Sequence, residues 1–354
     1  MAAWEENVRK VIPYIPGEQP VRTDIIKLNT NENPYPPSPK ALEILQNIDG
    51  RILRKYPDPE AKELVQELAG YYSVNPEQIF VGVGSDDVLA MSFLTFFNGR
   101  KPILFPDITY SFYDVWADLY RIPYERQPLD DKFEIRTEDY KKECGGIVLP
   151  NPNAPTGVEK RLMELEEIIA ANRDVIVIID EAYIDFGGES AVRLLPRYDN
   201  LLVVQTFSKS RSLAGMRIGY AFGNEKLIKY LNDAKYSFNS YTMNTVTTAM
   251  GAAAVRDDVY FRETIDKIIS TREWTKKELI RLGFAFPDSK SNFIFASHAK
   301  CPASKMFEAL KAHGIYVRYF DKPRINNYLR ITIGTDQEMK SLIEFLEQFL
   351  GENV

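Results

Sequence analysis

Between residues 79 and 223 the chain carries six short runs that are apolar almost throughout: IFVGVG (79–84), PILF (102–105), GIVL (146–149), VIVIID (175–180), LLVVQTF (201–207) and IGYAFG (218–223). A strand with one wet face alternates polar and apolar side chains, because successive residues point to opposite sides. Runs without that alternation need cover on both faces, the condition of a mostly parallel sheet held between helices. The intervening segments 60–72, 86–97 and 160–172 space their apolar residues as helices do. The pattern therefore predicts an α/β layer with crossover helices, whose ligands bind beyond the carboxyl ends of the strands.

The flanks read differently. Up to about Ala41 the chain is rich in Pro and Asn, including Pro13, Pro16, Pro20, Pro34, Pro36, Pro37 and Pro39, which rules out a long helix and suggests an extended arm. Beyond a helical stretch at 257–282, the runs NFIFAS (292–297), IYVRYF (315–320) and YLRITIG (328–334) alternate better and, with helical spacing at 303–312 and 336–350, suggest a smaller α+β domain. The expected division is an arm at 1–40, a large domain at 41–255 and a small domain at 256–354. A chain of 354 residues exceeds the size at which one core stops growing, so two domains with a cleft between them are expected.

A formal net charge of −6, with 27% charged residues, gives no electrostatic case for nucleic acid or an anionic membrane as partner. Cys144 and Cys301 lie far apart and fit neither a disulfide framework nor a metal-ligand spacing. The first ten residues are polar and charged, and no run approaches the ~18 apolar residues of a membrane span, so a cytoplasmic location is expected.

Two of the apolar runs end in chemistry. VIVIID closes on Asp180, followed by Glu181, Ala182 and Tyr183, and Lys209 stands just past LLVVQTF. One loop and one strand separate them, so in a parallel sheet both side chains can face one pocket. An Asp at the end of an apolar run is costly to bury without a cationic or hydrogen-bonded partner. The ring nitrogen of pyridoxal phosphate is such a partner, in enzymes that also join the cofactor to a lysine. Alone, Lys209 reads as a surface lysine at a helix start. Its context, TFSKSRSLAGMRIGY (206–220), adds the hydroxyls of Thr206 and Ser208 and the guanidinium of Arg217, a set suited to a phosphate. GVGSDD (82–87) passes from strand to helix through glycines, so the amides of Ser85 and Asp86 can cradle a phosphate, although an ordinary capped helix start has the same look. FPDITYSFY (105–113) sets Tyr110 near the same edge, as a ring against a planar cofactor or as a core tyrosine. LPNPNAPTG (149–157) is a sharp turn whose Asn and Pro residues suit a turn whatever its function.

Together, GVGSDD, FPDITY, NPNAPTG, DEAY and TFSKSRSLAGMRIGY stand in the order and spacing of the fold-type I aminotransferases, and the resemblance covers nearly the whole chain. Within that group, ENVRKVIPYIPGEQP, LNTNENP, RKYPDP and YLRITIGT resemble the histidinol-phosphate aminotransferase family of histidine biosynthesis. The resemblance implies pyridoxal 5'-phosphate as cofactor, histidinol phosphate and glutamate or 2-oxoglutarate as substrates, and a homodimer. It implies that Lys209 joins the cofactor and shuttles a proton, that Asp180 faces the ring nitrogen, that Tyr183 donates to the cofactor O3', and that Tyr110 stacks on the ring. The phosphate falls to the Ser85 and Asp86 amides, Thr206, Ser208 and Arg217, with Tyr56 matching a residue that reaches it from the neighbouring subunit. Arg330 resembles the arginine that binds the carboxylate of glutamate or 2-oxoglutarate; the phosphate of histidinol phosphate must use the same locus, with Arg318 and Tyr14 as further contacts and Asn31 lining the pocket. One departure is plain. The family has Asn directly before Pro-Thr-Gly, where this chain has Ala154 preceded by Asn153. Either Asn153 serves through a shifted turn, or Tyr183 holds O3' alone.

The same scaffold resembles threonine-phosphate decarboxylases and aromatic amino acid aminotransferases. A non-catalytic ligand-binding protein of this fold would have no need of Asp180, Tyr183, Lys209 and Arg217 together. A dinucleotide site is disfavoured, because GVGSDD lacks the third glycine of that motif.

Overall fold

The computed structural model describes residues 3–20, 22 and 24–353. In chain order the strands are β1 (Ile26–Lys27), β2 (Ile79–Val83), β3 (Ile103–Pro106), β4 (Tyr124–Gln127), β5 (Gly146–Pro150), β6 (Val177–Asp180), β7 (Leu201–Thr206), β8 (Ile218–Gly223), β9 (Phe284–Ala285), β10 (Phe293–His298), β11 (Ile315–Tyr316), β12 (Arg318–Tyr319) and β13 (Leu329–Thr332). The helices are α1 (Pro39–Gln46), α2 (Lys62–Tyr72), α3 (Ser85–Phe96), α4 (Phe112–Tyr120), α5 (Leu162–Ala171), α6 (Glu225–Phe238), α7 (Thr245–Arg256), α8 (Asp258–Arg281), α9 (Ala303–Ala312) and α10 (Asp336–Asn353). No described helix is long and apolar enough to cross a membrane.

Seven strands form the large sheet in the order β2-β8-β7-β6-β5-β3-β4. The pairs from β7 through β4 are parallel, and β8 alone runs against its neighbours. The missing alternation in the sequence has its cause here. Val177 and Ile179 of β6 belong to the apolar core on one face and Ile178 to the core on the other; Leu201 and Val203 are likewise separated from Leu202 and Val204. Each such side chain, fully removed from water, contributes roughly 1.5–3 kcal/mol. β4 (YERQ) escaped the apolar reading because it is the sheet edge, half-exposed and charged, which also discourages pairing with another chain.

The C-terminal part builds an antiparallel sheet, β12-β13-β10-β9, with its own core. The segment expected as one strand at 315–320 is two: β11 pairs in parallel with β1 of the arm, and β12 pairs with β13. Leu28, next to β1, is buried in the small-domain core, so the arm is stitched to the domain farthest from it in sequence. Helix α1 begins at Pro39, near the expected end of the arm. Ser38 accepts from the Ala41 amide and Pro39 takes the first helical position of α1, where its missing N–H costs nothing.

β8 positions the site. Its Gly219 lies opposite Gly82 of β2, and a Cβ there would run into the backbone of Gly84 and Ser85. Gly84 has φ +85, a conformation suited to glycine, and a Cβ on it would collide with the Arg217 guanidinium. Two glycines thus let the β2–α3 turn close onto Arg217. Gly219→Ala is expected to lower unfolding stability by roughly 1–3 kcal/mol, since the obstacle is backbone; a denaturation midpoint equal to that of the unsubstituted protein would show the turn has room after all.

Candidate active site

Asp180 is the last residue of β6, in register with Pro150 of β5 and Val204 of β7. It is buried. Tyr113 Oη donates to Asp180 Oδ2 at 2.6 Å and the Ala182 amide donates to Oδ1 at 3.3 Å. Burial pushes the Asp180 pKa up to about 6, while those two donors oppose the rise. The carboxylate is therefore mostly ionised at neutral pH.

Lys209 follows β7. Its Nζ donates to the Thr30 carbonyl at 3.2 Å and lies 5.9 Å from the Tyr183 ring centroid. Its hydrogen-bond partner is a backbone carbonyl rather than a carboxylate. Burial, and next the positive Arg330, push its pKa down to about 8. A lysine with a substantial neutral fraction near physiological pH is a usable nucleophile and base.

An anion cradle lies beside them. At the start of α3 the Ser85 and Asp86 amides have no partner within the helix, as at any helix N-terminus. Thr206 Oγ1 and Ser208 Oγ are 3.0 Å apart, and Arg217 Nη1 donates to Ser208 Oγ at 3.3 Å. Arg217 also reaches Asp86 Oδ2 at 3.3 Å, while Tyr110 Oη donates to Asp86 Oδ1 at 2.7 Å. Burial, reinforced by Asp86, holds the Tyr110 phenol protonated far above its ordinary range. These groups, with Lys209, Asp180 and Tyr183, line a cavity of about 250 Å³.

A second cavity of about 300 Å³ adjoins it, sharing Asp86, Tyr110, Tyr183 and Lys209 and adding Tyr14, Asn31, Arg318 and Arg330. Arg330, on β13, donates from Nη2 to the Asn29 carbonyl at 3.0 Å, but its buried Nε has no partner. Its guanidinium lies over the rings of Phe293 and Phe320, at 5.4 and 5.6 Å. Tyr14 stacks on Phe112 at 4.2 Å. A larger cavity of about 490 Å³ opens between residues 131–134 and 285–290, where Asp288 pairs with Lys276 and Lys290. It gathers no comparable set of reactive groups.

The structure thus brings together Lys209, Asp180, Tyr183, Ser85, Asp86, Tyr110, Thr206, Ser208 and Arg217, with Tyr14, Asn31, Arg318 and Arg330 next door. Asn153 is a correction. Its amide donates to the Ile108 carbonyl and to Thr156 Oγ1, both at 3.0 Å, which turns it into the 153–158 loop and leaves Ala154 on the cavity wall. Tyr56 is not in its own chain's cavity; it stands 82% exposed, stacked on Tyr241. Sequence reasoning missed Tyr113, which stands in the first turn of α4, just past Tyr110, and supplies the donor a buried Asp180 needs. Thr30, from the arm, was also missed, because it acts through its backbone.

Residues 23–346 match the model of the family described as aminotransferase class I and II. A histidinol-phosphate aminotransferase of Clostridium beijerinckii is 54% identical over 350 residues, covering 99% of this chain and 98% of that one. The chain belongs to the class I and II aminotransferases, in the histidinol-phosphate aminotransferase family. The Lactococcus lactis subsp. cremoris member is 53% identical over 348 residues, 98% of each protein. Among solved structures, the Sinorhizobium meliloti histidinol-phosphate aminotransferase in complex with pyridoxal-5'-phosphate superposes with a TM-score of 0.83 at 23% identity, over 93% of this chain and 92% of that one. The aminotransferase cavity fits that cofactor chemically: a buried carboxylate for a ring nitrogen, a lysine of lowered pKa for an aldehyde, and a helix start with hydroxyls and Arg217 for a phosphate.

The lowered Lys209 pKa has a direct test. With a small aldehyde and a mild reductant, modification of Lys209 in the cofactor-free aminotransferase should rise with pH through a midpoint near 8, since only the neutral amine reacts. A midpoint near 10.5, the value of an ordinary lysine, would show the side chain solvated.

Proposed function

We propose that this aminotransferase carries pyridoxal phosphate on Lys209 and moves the amino group of histidinol phosphate to 2-oxoglutarate, leaving the corresponding phosphorylated ketone and glutamate. The cofactor, when bound, supplies an aldehyde that joins covalently to amines and a ring that takes up an electron pair. The Arg217 cradle would hold the phosphate, Asp180 would keep a proton at the ring nitrogen, and Tyr110 would supply a ring for the cofactor to lie against. Lys209, whose pKa is lowered, would serve as the base that takes the proton from the substrate carbon and returns it elsewhere.

The observation that carries the substrate assignment is Arg330. It is a guanidinium in the lysine's own cavity, with a buried Nε lacking a partner and no carboxylate in an ion pair with it among the described residues. Burying a cation in that state is costly, and an anion repays the cost. Phosphate and carboxylate both suit a bidentate guanidinium, so one locus can serve both substrates in turn. Arg318 adds a second positive charge, and Tyr14 on Phe112 offers an aromatic surface of the kind a flat heterocycle stacks against.

We also propose a homodimer. Trp4, Ile12, Ile15, Leu53 and Tyr56 are 62–84% exposed, an apolar surface that a second copy would cover while bringing its Tyr56 toward the cradle. The working units are taken as the arm (1–40), the large domain (41–255) and the small domain (256–354), with the amine on the large sheet and the substrate arginines on the small one.

The purified protein should show a visible absorbance band that borohydride bleaches and that Lys209→Ala lacks. Histidinol phosphate should discharge that band faster than phenylalanine or threonine phosphate at equal concentration. A tenfold preference for phenylalanine, about 1.4 kcal/mol in the transition state, would overturn the substrate assignment. Arg330→Ala should weaken use of histidinol phosphate and 2-oxoglutarate alike, by a hundredfold or more in kcat/KM; an effect on only one of them would break the shared-locus argument.

A further inference from the structure

Tyr183 packs edge-on against Phe293 of the small domain at 5.1 Å, and its hydroxyl is tied to that domain by hydrogen bonds through a buried side chain of the arm. Asn31 Nδ2 donates to Tyr183 Oη at 2.9 Å, and Thr332 Oγ1 lies 3.0 Å from Asn31 Oδ1. The Asn31 backbone N–H donates to the same Thr332 oxygen at 3.0 Å, and the Asn31 carbonyl accepts from Asn292 Nδ2 at 3.1 Å. Asn31 and Thr332 are 1% and 2% exposed, so water offers neither a substitute partner.

The direction of each bond follows from counting protons. A backbone N–H can only donate, so Thr332 Oγ1 accepts from Asn31, and its own proton is then free for Asn31 Oδ1. That fixes the amide: with Oδ1 engaged, Nδ2 faces Tyr183 and donates to it. The reversed amide would point two donors at Thr332 and strand the threonine proton. A phenol oxygen already accepting from Nδ2 has its own proton available for a different acceptor. The cavity on which Tyr183 opens, with the Ala154 methyl group in its wall and Asn153 turned away, is where that proton can be directed.

We propose that Thr332 and Asn31 are positioning residues that aim the Tyr183 proton into the cofactor cavity, doing through a three-membered hydrogen-bond chain what a polar side chain at position 154 would do directly. The inference rests on the reading of the site given above. It also gives the chain a mechanical meaning. Thr332 and Arg330 lie two residues apart on β13 and so on the same face of that strand, which means that whatever holds Arg330 in place also holds the first link of the chain.

The test is the pH titration of the bound cofactor's visible band, a readout independent of turnover. A phenol proton directed at the cofactor's ring oxygen favours the anionic form, so losing it should raise the apparent pKa of the band. Thr332→Val, which keeps the shape and removes the hydroxyl, should raise it by about one unit, a tenfold change in proton affinity. Thr332→Ser should leave it unchanged. Tyr183→Phe should raise it at least as far, and Thr332→Val added to Tyr183→Phe should do nothing more, because the messenger is gone. Asn31→Asp, isosteric but able only to accept, serves the same cycle if the valine variant does not fold; it should reverse the Tyr183 proton and lose its effect, beyond the added charge, in the Tyr183→Phe background. An unshifted pKa in Thr332→Val, or an equal shift with and without Tyr183, overturns the proposal. A protein with no lysine-dependent band at all overturns instead the functional reading on which it stands.

Discussion

A half-buried amine and a buried carboxylate sit at the carboxyl ends of neighbouring strands of one sheet, and the remainder of the site exists to make that tolerable. Burial alone drives Asp180 toward its neutral form and Lys209 toward its own. Neither drift goes to completion. Tyr113 and the Ala182 amide favour Asp180 as a carboxylate, whereas Lys209 has one carbonyl and the positive Arg330, which the carboxylates of Asp86 and Glu32 offset only in part. The protein thus gives hydrogen bonds to the charge that must stay and sets a positive neighbour against the charge that must be shed.

The strands behind them account for the precision. With both faces of the large sheet packed, a slip of one residue in β6 would exchange Val177 and Ile179 for Ile178 and leave Asp180 in a core. The single antiparallel strand β8 completes the arrangement. It leaves the lysine loop and returns beside β7 and β2, so the helix start, the hydroxyls and Arg217 converge on one point. Two glycines on that path remove the side chains that would hold them apart.

How much of this was legible in the sequence follows the same physics. Buried strands announce themselves because both faces exclude water, so β2, β3, β5, β6, β7 and β8 could be read within a residue or two. β4 could not, since an edge carries polar side chains for its own reasons, and α7, TVTTAMGAAAVR, is small and enclosed nearly all round, so it shows no wet face to give a period. The single run at 315–320 divided because its first half answers to the arm, a partner some 290 residues away in sequence that no local pattern reveals. Within the site, Asp180 was legible as a charge at the end of an apolar run, and Lys209 and Arg217 only through the string around them. Asn153 misled because a turn rich in Asn and Pro does not say which amide faces inward, and Tyr113 was passed over because one tyrosine among 20 carries little information until its acceptor is known.

The arm has a bearing on how the molecule is made. Its Ile26 and Lys27 align with Ile315 and Tyr316, and Asn31 bonds Thr332, so these residues must wait for partners made much later in synthesis. Contacts of such long reach form late, after local strands and helices have condensed. The large sheet can therefore assemble during synthesis with its lysine in place while one wall of the pocket is still missing, and the nascent chain acquires a closed reaction chamber only when its C-terminal strands have emerged.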